Sequence, residues 1–408
     1  MNRVIERYFI SDGKFSIGGI GLDELLQCRK TPFYVYSTEV IRDKYYRLKS
    51  ALSDFDIFYS FKPNPNVEVA KVLLNEGAHA EISSGGELRN ALDAGFDPAD
   101  IIFVGPAKSV DDINLAVVSG IFAIVSDSVY EIELIDSIAR SHNVRQMVML
   151  RINTLEGPKF APEIMVGGPG KFGFDEEKLI DELAGVSFGN VEIAGIHIYA
   201  ASQVMNADVI NAHIENVFRV ALLARNELRI EMKAIDFGGG FGVPYSDEPE
   251  LDLDVISKHA KKLLGKHRDE FPGCRFIFEM GRYLVAECGV FITHVERVKD
   301  SRGTLFAITD GGMNHFSRPA FMKVRHPFRI LNKITEPDKA ECTVAGPCCT
   351  PIDVIGDRAR LPEVEIGDVI GIFNAGAYGY SMSMLKFISF DEPGEYIVDG
   401  GEIRSVRP

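Results

Sequence analysis

Residues 56–125 read DIFYSFKPNPNVEVAKVLLNEGAHAEISSGGELRNALDAGFDPADIIFVGPAKSVDDINLAVVSGIFAIV. This stretch decides the fold because its hydrophobic period switches in a fixed order. Short β-rich runs at 56–61, 78–82, 101–104 and 121–125 are separated by segments with helical spacing of apolar residues at 67–75, 86–94 and 109–118. Strands alternating with helices imply a parallel sheet. The alternation continues through a helical span at 128–140, QMVMLRI at 146–152, VEIAGIHI at 191–198, a helical span at 209–228, KAIDF at 233–237 and RFIFE at 275–279. Eight strands over ~225 residues fit a closed (β/α)₈ TIM barrel. A doubly wound open sheet is the alternative.

Outside this region the pattern changes. Segments 289–298, 304–309, 342–346, 368–373, 386–390 and 395–398 read as strands separated by Gly, Pro and Asp turns. The first ~35 residues, with IGGIG at 17–21, read as extended and turn-rich. Three segments are therefore expected: 1–36 as the N-terminal part of a β-rich domain, 37–285 as the barrel, and 286–408 as the rest of that β-barrel-like or sandwich-like domain. At 408 residues the chain has room for two to three domains.

Composition removes whole classes of function. With 46% hydrophobic and 25% charged residues the chain is globular, not disordered, collagenous or coiled-coil. A net charge of −15 argues against nucleic-acid binding. No uncharged apolar run reaches ~18 residues, so no membrane span is expected. The start, MNRVIERYF, has no secretory h-region or cleavage site. The cysteines are Cys28, Cys274, Cys288, Cys342, Cys348 and Cys349; none forms C-x-x-C, so no zinc or other metal site is expected. A reduced, cytoplasmic protein is the reading.

A (β/α)₈ barrel carries its active site at the C-terminal ends of its strands. The residues there are Lys62, Glu81, Gly105, Asp127, Arg151, Tyr199, the run Gly238-Gly239-Gly240, and Glu279 with Arg282. Such a set suits an anionic ligand. Lys62, in YSFKPNPN, can form a Schiff base if burial lowers its pKa; a solvated lysine opening a loop fits the position too. The glycines can close backbone N–H groups around a phosphate or form a plain turn. No partner acid stands at Rossmann spacing. Glu279 can face a ring nitrogen and Arg282 a phosphate, or the two form a structural pair. His197 alternates with Tyr199, and as a packed barrel residue or a catalytic one it shares that face.

Taken in order, YSFKPNPN (59–66), EISSGGEL (81–88), GKFGF (170–174), GIHIYAASQ (195–203), DFGGGFG (236–242), FEMGR (278–282), DGGMN (310–314), GPCC (346–349) and NAGAYG (374–379) resemble the fold-type III pyridoxal phosphate decarboxylases, which act on ornithine, diaminopimelate or arginine. The resemblance implies a barrel plus a β-domain, pyridoxal 5′-phosphate, and a homodimer with shared active sites. It implies that Lys62 is the Schiff-base lysine and Glu279 the acid facing the pyridine nitrogen. Ser202, Gly238, Gly239, Gly240, Arg282 and Tyr378 would hold the phosphate. Glu81 and Arg151 match cofactor-side residues, and Cys349 matches the cysteine donated by the partner subunit, which would deliver a proton to Cα.

Three departures bear on the substrate. Tyr199 stands where the ornithine and diaminopimelate enzymes have a histidine that stacks on the ring, a role a tyrosine can fill. Thr350 follows Cys349 where those enzymes carry an Asp or Glu that reads a distal amine. RPAFM (318–322) resembles an R-P-A-L-Y segment of the diaminopimelate enzymes, with Arg318 kept and Met322 in place of tyrosine. GIHIY, GRYL (281–284) and GPCCTP (346–351) resemble a subgroup that includes a butirosin-pathway decarboxylase of carrier-tethered glutamate. The expected activity is α-decarboxylation of an amino acid, with an acyl or peptidyl carrier protein as partner. Free meso-diaminopimelate or another free diamino acid is the alternative, ahead of a racemase or a non-catalytic pyridoxal-binding barrel. Lys323, Arg325 and Arg329 form the basic run open to an acidic carrier.

Overall fold

The computed structural model describes residues 3–27, 29–158 and 163–407. Cys28, and residues 1 and 2 of the expected N-terminal segment, lie outside the described residues. Eight strands make the barrel: β1 (Asp56–Ser60), β2 (His79–Ile82), β3 (Ile101–Phe103), β4 (Ala123–Ser126), β5 (Gln146–Asn153), β6 (Val191–His197), β7 (Ala234–Asp236) and β8 (Arg275–Met280). Every neighbouring pair is parallel, and β8 pairs with β1, so the sheet closes on itself. The open-sheet alternative is excluded by that last pairing. Phe58, Ile102, Val125, Met149, Ala234 and Ile277 belong to one buried cluster that fills the barrel.

The helices that follow the first seven barrel strands are α1 (Val67–Glu76), α2 (Gly85–Ala94), α3 (Val110–Ser119), α4 (Val129–Ser141), α5 (Leu179–Leu183), α6 (Ala207–Glu227) and α7 (Leu253–His267). Six of their starts are set by side-chain caps, and α5 has none. Asn66, Ser84, Ser109, Ser128, Asn206 and Asp252 each accept a backbone N–H of the first turn. At α2 the cap is reciprocal: Ser84 Oγ accepts from Glu87 N–H at 3.1 Å while Glu87 accepts from Ser83 N–H at 2.7 Å. Part of the EISSGGEL motif is therefore a capping box that fixes the turn after β2. No helix among the described residues is long and apolar enough to cross a membrane.

The chain divides into two compact units. One comprises 45–243 and 250–283; the other comprises 1–44, 244–249 and 284–408. In the second, β9 (Gly289–Ser301), β10 (Thr304–Thr309), β11 (Phe328–Ile330), β12 (Ala340–Ala345), β13 (Val354–Leu361), β14 (Val369–Ile372), β15 (Gly394–Asp399) and β16 (Glu402–Arg407) form sheets with the strand Phe33–Ser37. That N-terminal strand lies between β9, to which it is antiparallel, and β15, to which it is parallel, so both termini build one sheet.

Several local expectations are corrected. The strand expected at 386–390 is a short 3₁₀ turn, Phe387–Ser389, with Ile388 at φ +60° and 43% exposed. The N-terminal stretch contains two short helices, Arg3–Tyr8 and Leu22–Leu26, rather than only extended chain. The strands β13 and β16 did not register in the hydrophobic pattern because both lie at sheet edges.

Candidate active site

Lys62 lies two residues beyond β1. Phe61 and Pro63 on either side are buried, but Lys62 itself is exposed, so the burial invoked for it at the sequence level is corrected. The loop leaves the barrel core at this residue, which carries its side chain to the mouth. There its Nζ lies 5.1 Å from the centre of the Tyr199 ring. The lysine that the barrel buries is Lys108, and desolvation lowers its pKa. Its ammonium donates to the carbonyl oxygens of Val125 at 2.5 Å and Gly105 at 2.8 Å, and lies 3.1 Å from Glu131. Those partners use all of its donors in a structural role.

Three strands in succession end in ionisable side chains. β6, β7 and β8 place His197, Asp236 and Glu279 together, with one donor or acceptor atom of each within 4.8 Å of the others. All three are buried. Asp236 Oδ1 accepts from Gly238 N–H at 2.8 Å. Burial drives the Asp236 carboxyl well above the usual range, and the charge of Glu279 adds to it. Burial pushes Glu279 the same way, but His197, at 3.2 Å, together with Lys62 and Arg151, outweighs it and holds Glu279 below its ordinary value. The two carboxyls are thus pushed apart, Asp236 toward its neutral form and Glu279 toward its charged form. Glu279 Oε1 sits at ion-pair distance from His197 but has no aligned hydrogen bond among the described residues. Glu81, just after Ala80 in β2, is pushed up to about 7, first by burial and then by the charge of Glu279.

The glycine run after β7 is held where a side chain has no room. Gly238 and Gly240 have φ of +61° and +91°. A Cβ on Gly239 would lie 1.7 Å from the carbonyl oxygen of Glu279, and one on Gly240 would lie 2.0 Å from that of Ala201. Close by, the buried Ser202 accepts from Arg282 Nη2 at 3.4 Å. Backbone N–H groups in a glycine turn, a hydroxyl and a guanidinium form a cradle suited to a phosphate.

Arg151, on β5 and 7% exposed, lies 3.8 Å from Asp127 and stacks its guanidinium 4.2 Å from the Phe172 ring centre. Asp127 also accepts from Gly173 N–H at 3.0 Å. The GKFGF segment is thus tied to the ends of β4 and β5, and Phe174–Asp175 extends the sheet beside β5.

Four of the expected site residues belong to the other unit: Arg318, Cys349, Thr350 and Tyr378. Arg318 is buried, donates from Nε to His326 Nε2 at 3.1 Å, and lies 5.6 Å from the Tyr378 ring and 5.8 Å from that of Tyr245. Tyr378 is held at φ +59°. The DGGMN and GPCC segments meet backbone to backbone, since a Cβ on Gly346 would lie 2.3 Å from Gly312 Cα. Asp353 clamps them, accepting from Met313 N–H at 2.6 Å and Cys348 N–H at 2.8 Å. The clamp turns Cys348 inward, where burial pushes its thiol up to about 12, and leaves Cys349 exposed.

Sequence reasoning left His197 open between a packed barrel residue and a catalytic one, and did not place Asp236 in the site. The signal was available: they are direct register partners on adjacent strands, each at a strand end. A groove of about 660 Å³ between residues 154–158 and α6 contains none of the expected site residues.

The described geometry fits pyridoxal phosphate at two points: the cradle at Gly238–Gly240, Ser202 and Arg282, and the buried anionic oxygen of Glu279 with acceptor capacity to spare. Known proteins point the same way. The family model described as the pyridoxal-binding domain of pyridoxal-dependent decarboxylases matches residues 38–286. The chain is 36% identical over 394 residues to the L-glutamyl-[BtrI acyl-carrier protein] decarboxylase of Niallia circulans, covering 93% of this chain and 91% of the relative. It is 32% identical over 392 residues to diaminopimelate decarboxylase of Helicobacter pylori, covering 94% of each. The crystal structure of M. jannaschii diaminopimelate decarboxylase superposes with a TM-score of 0.92 at 28% identity, covering 100% of this chain and 96% of that one. The H. pylori enzyme complexed with L-lysine gives 0.86 at 31% identity, over 94% and 95% of the two chains. A barrel that ends in a phosphate cradle and a buried ionised carboxylate, matched along its whole length in this way, belongs to the pyridoxal-dependent decarboxylases, carboxy-lyases of amino acids.

Proposed function

We propose that this chain removes the α-carboxylate of an amino acid, of the glutamate type, held as a thioester on an acyl-carrier protein. The observation that carries this reading is the state of the loop after Cys349. A free diamino acid presents a distal ammonium, and burying that charge without a carboxylate is costly. Thr350 supplies none. The acid nearest in the chain, Asp353, is 3% exposed and spends both oxygens on backbone N–H groups. It is buried within the clamp and is not presented as an exposed acid. The carrier-dependent activity named for the N. circulans relative supports the same reading.

The bound cofactor supplies an electron sink for the pair left at Cα when the bond to the carboxylate breaks and carbon dioxide leaves. The residues of this chain do the rest. Lys62 would supply the amine that holds the cofactor. Glu279, kept ionised by His197, holds a proton on the ring nitrogen. Gly238, Gly239, Gly240, Ser202, Arg282 and Tyr378 hold the phosphate. Tyr199 would support the bound ring, with Glu81 and Arg151 among the residues that hold it. Cys349, exposed on its own unit, is donated across a homodimer and returns a proton to Cα.

A second reading, decarboxylation of free meso-diaminopimelate, is favoured by Arg318, whose buried guanidinium beside Tyr378 suits a distal carboxylate. The experiment compares kcat/KM for glutamyl-loaded and aspartyl-loaded carrier protein with that for free meso-diaminopimelate, ornithine, lysine and arginine. A preference for a loaded carrier is expected. Efficient turnover of free diaminopimelate with no preference for tethered substrates overturns the proposal.

A further inference from the structure

Arg318 and Thr350, the two residues assigned to substrate reading, border one groove. Its walls are drawn from residues 319–328 and 351–359, so the lining begins one residue after each of them. The groove has a volume of about 770 Å³. Lys323, Arg325 and Arg358 line it and are all exposed. None of the three enters an ion pair among the described residues. Asp357 is the one acid among the lining residues, and it accepts a hydrogen bond from Thr343 at 3.2 Å.

The chain's 59 acidic residues outnumber its 44 basic ones, and several cations elsewhere in the same unit are paired, though others such as Lys299 and Arg360 enter no ion pair among the described residues. Lys333 meets Glu365 and Asp368, and Arg42 meets Asp399. Two of the three groove cations also sit on unfavourable backbone. Lys323 has φ +53° and Arg358 φ +45°, where a non-glycine residue costs about 1 kcal/mol or more. Cationic side chains are thus held, at a conformational cost, around a cleft in an acidic protein. Apolar side chains adjoin them: Ile352 is 47% exposed within the groove, and Phe321 and Met322 beside it are 50% and 45% exposed. Arg329, grouped with Lys323 and Arg325 at the sequence level, lines a separate small pocket, and Arg358 takes its place in the groove.

We infer that this groove docks the carrier protein, with Lys323, Arg325 and Arg358 gripping its acidic surface and the phosphodiester at the root of its thioester arm, and the apolar residues packing against the carrier. The inference rests on the carrier reading above. The arm is anionic by its own chemistry, and a positive rim steers an acidic partner by long-range attraction that salt screens. Docking here delivers the arm beside Arg318 and Thr350.

The test uses the holoenzyme, the Lys323→Glu/Arg325→Glu/Arg358→Glu variant and the milder variant with Gln at the same three positions. Each is assayed with glutamyl-loaded acyl-carrier protein and with glutamyl-pantetheine, which lacks both the protein and the phosphodiester. For the loaded carrier, kcat/KM should fall about 100-fold in the Glu variant at low salt, less in the Gln variant, with the gap closing in 0.5 M salt. For glutamyl-pantetheine, kcat/KM should stay within about twofold of wild type. Unchanged turnover of the loaded carrier, or an equal loss with both substrates, overturns the docking site. Direct binding of the unloaded phosphopantetheinylated carrier separates this proposal from the functional one. If wild type binds that carrier and the Glu variant does not, the docking site stands even where loaded glutamate is not decarboxylated, and only the functional reading fails. No binding by wild type, or equal binding by the variant, overturns the docking site.

Discussion

Replacing Glu279 with glutamine tests the centre of the proposed chemistry. The substitution keeps shape and volume and removes one charge from a residue that is 4% exposed. Three consequences follow from the geometry. The oxygen that lies 3.2 Å from His197, with no aligned hydrogen bond among the described residues, is the one available to a ring N–H, and an amide there is a weaker, uncharged acceptor. A charge-assisted bond to such a group is worth about 1.5–3 kcal/mol. In a site closed to water, losing one preorganised electrostatic contact costs about 10²–10³ in rate. Asp236 and Glu81, both raised in part by the charge of Glu279, should titrate at lower pH in the variant. The expected result is therefore a kcat lowered about 100-fold or more, with a folded, cofactor-loaded protein and an absorbance pH profile displaced to the acid side. The assay is carbon dioxide release under saturating substrate, with a ¹³C isotope effect on the carboxylate to show that bond cleavage limits the rate. A variant within about threefold of wild-type kcat, with cleavage shown to be limiting, refutes the assignment, since a preorganised contact of this kind cannot be lost without slowing the step it serves.

Borohydride reduction of the holoenzyme should fix the cofactor to the peptide that contains Lys62; a label on Lys108 would reverse the argument that its three bonded donors reserve it for structure. Glu81 should make the cofactor-free protein lose stability as pH rises. Its folded pKa of about 7 lies above the ordinary 4.5, so its stabilising effect is complete below 4.5 and lost through 7, on the order of a few kcal/mol in all. In denaturant titrations between those values, Glu81→Gln should flatten the slope, and an unchanged slope would show that another group carries it. Mixing inactive Lys62→Ala and Cys349→Ala subunits should regenerate sites that contain both wild-type residues; no recovery, with subunit exchange demonstrated, would mean that each site is built within one chain.

The barrel was legible because its signals are redundant. Each strand is a short apolar run, and the capping residues Asn66, Ser84, Ser109 and Ser128 stand at the start of the next helix. Propensity, period and caps agree there. The second unit offers less. VIGDRARL at β13 alternates weakly because the strand lies at a sheet edge with Asp357, Arg358 and Arg360 exposed. FIS at 387–389 is apolar but has no neighbour to pair with among the described residues, so composition alone misled there. The helices Arg3–Tyr8 and Leu22–Leu26 are too short for a helical period to show.

The site was legible residue by residue but not as a coupled system. Lys62, Glu279, Arg282 and the glycine run each carry a local signal. The ionisation of Glu279 does not, because it depends on His197 and Arg151 arriving from two other strands and on Lys62, and burial alone would have raised its pKa. The same limit applies to specificity. Thr350 can be read in the sequence as a missing acid, yet its force depends on Asp353 being unavailable, and that follows from two backbone hydrogen bonds to Met313 and Cys348. All of the residues proposed to handle the ring and most of the phosphate cradle come from the barrel unit, while Arg318, Cys349, Thr350 and the basic groove come from the other. On the proposed reading, a change of substrate needs little change in the barrel, where Tyr199 is the one departure noted. It needs one carboxylate after Cys349, or its absence, and a groove whose charge suits what brings the amino acid in. Whole-chain similarity is insensitive to so few positions, which is why relatives with different substrates match this chain almost equally. On the proposed reading, the decision between them falls to the loops at 318–328 and 346–358.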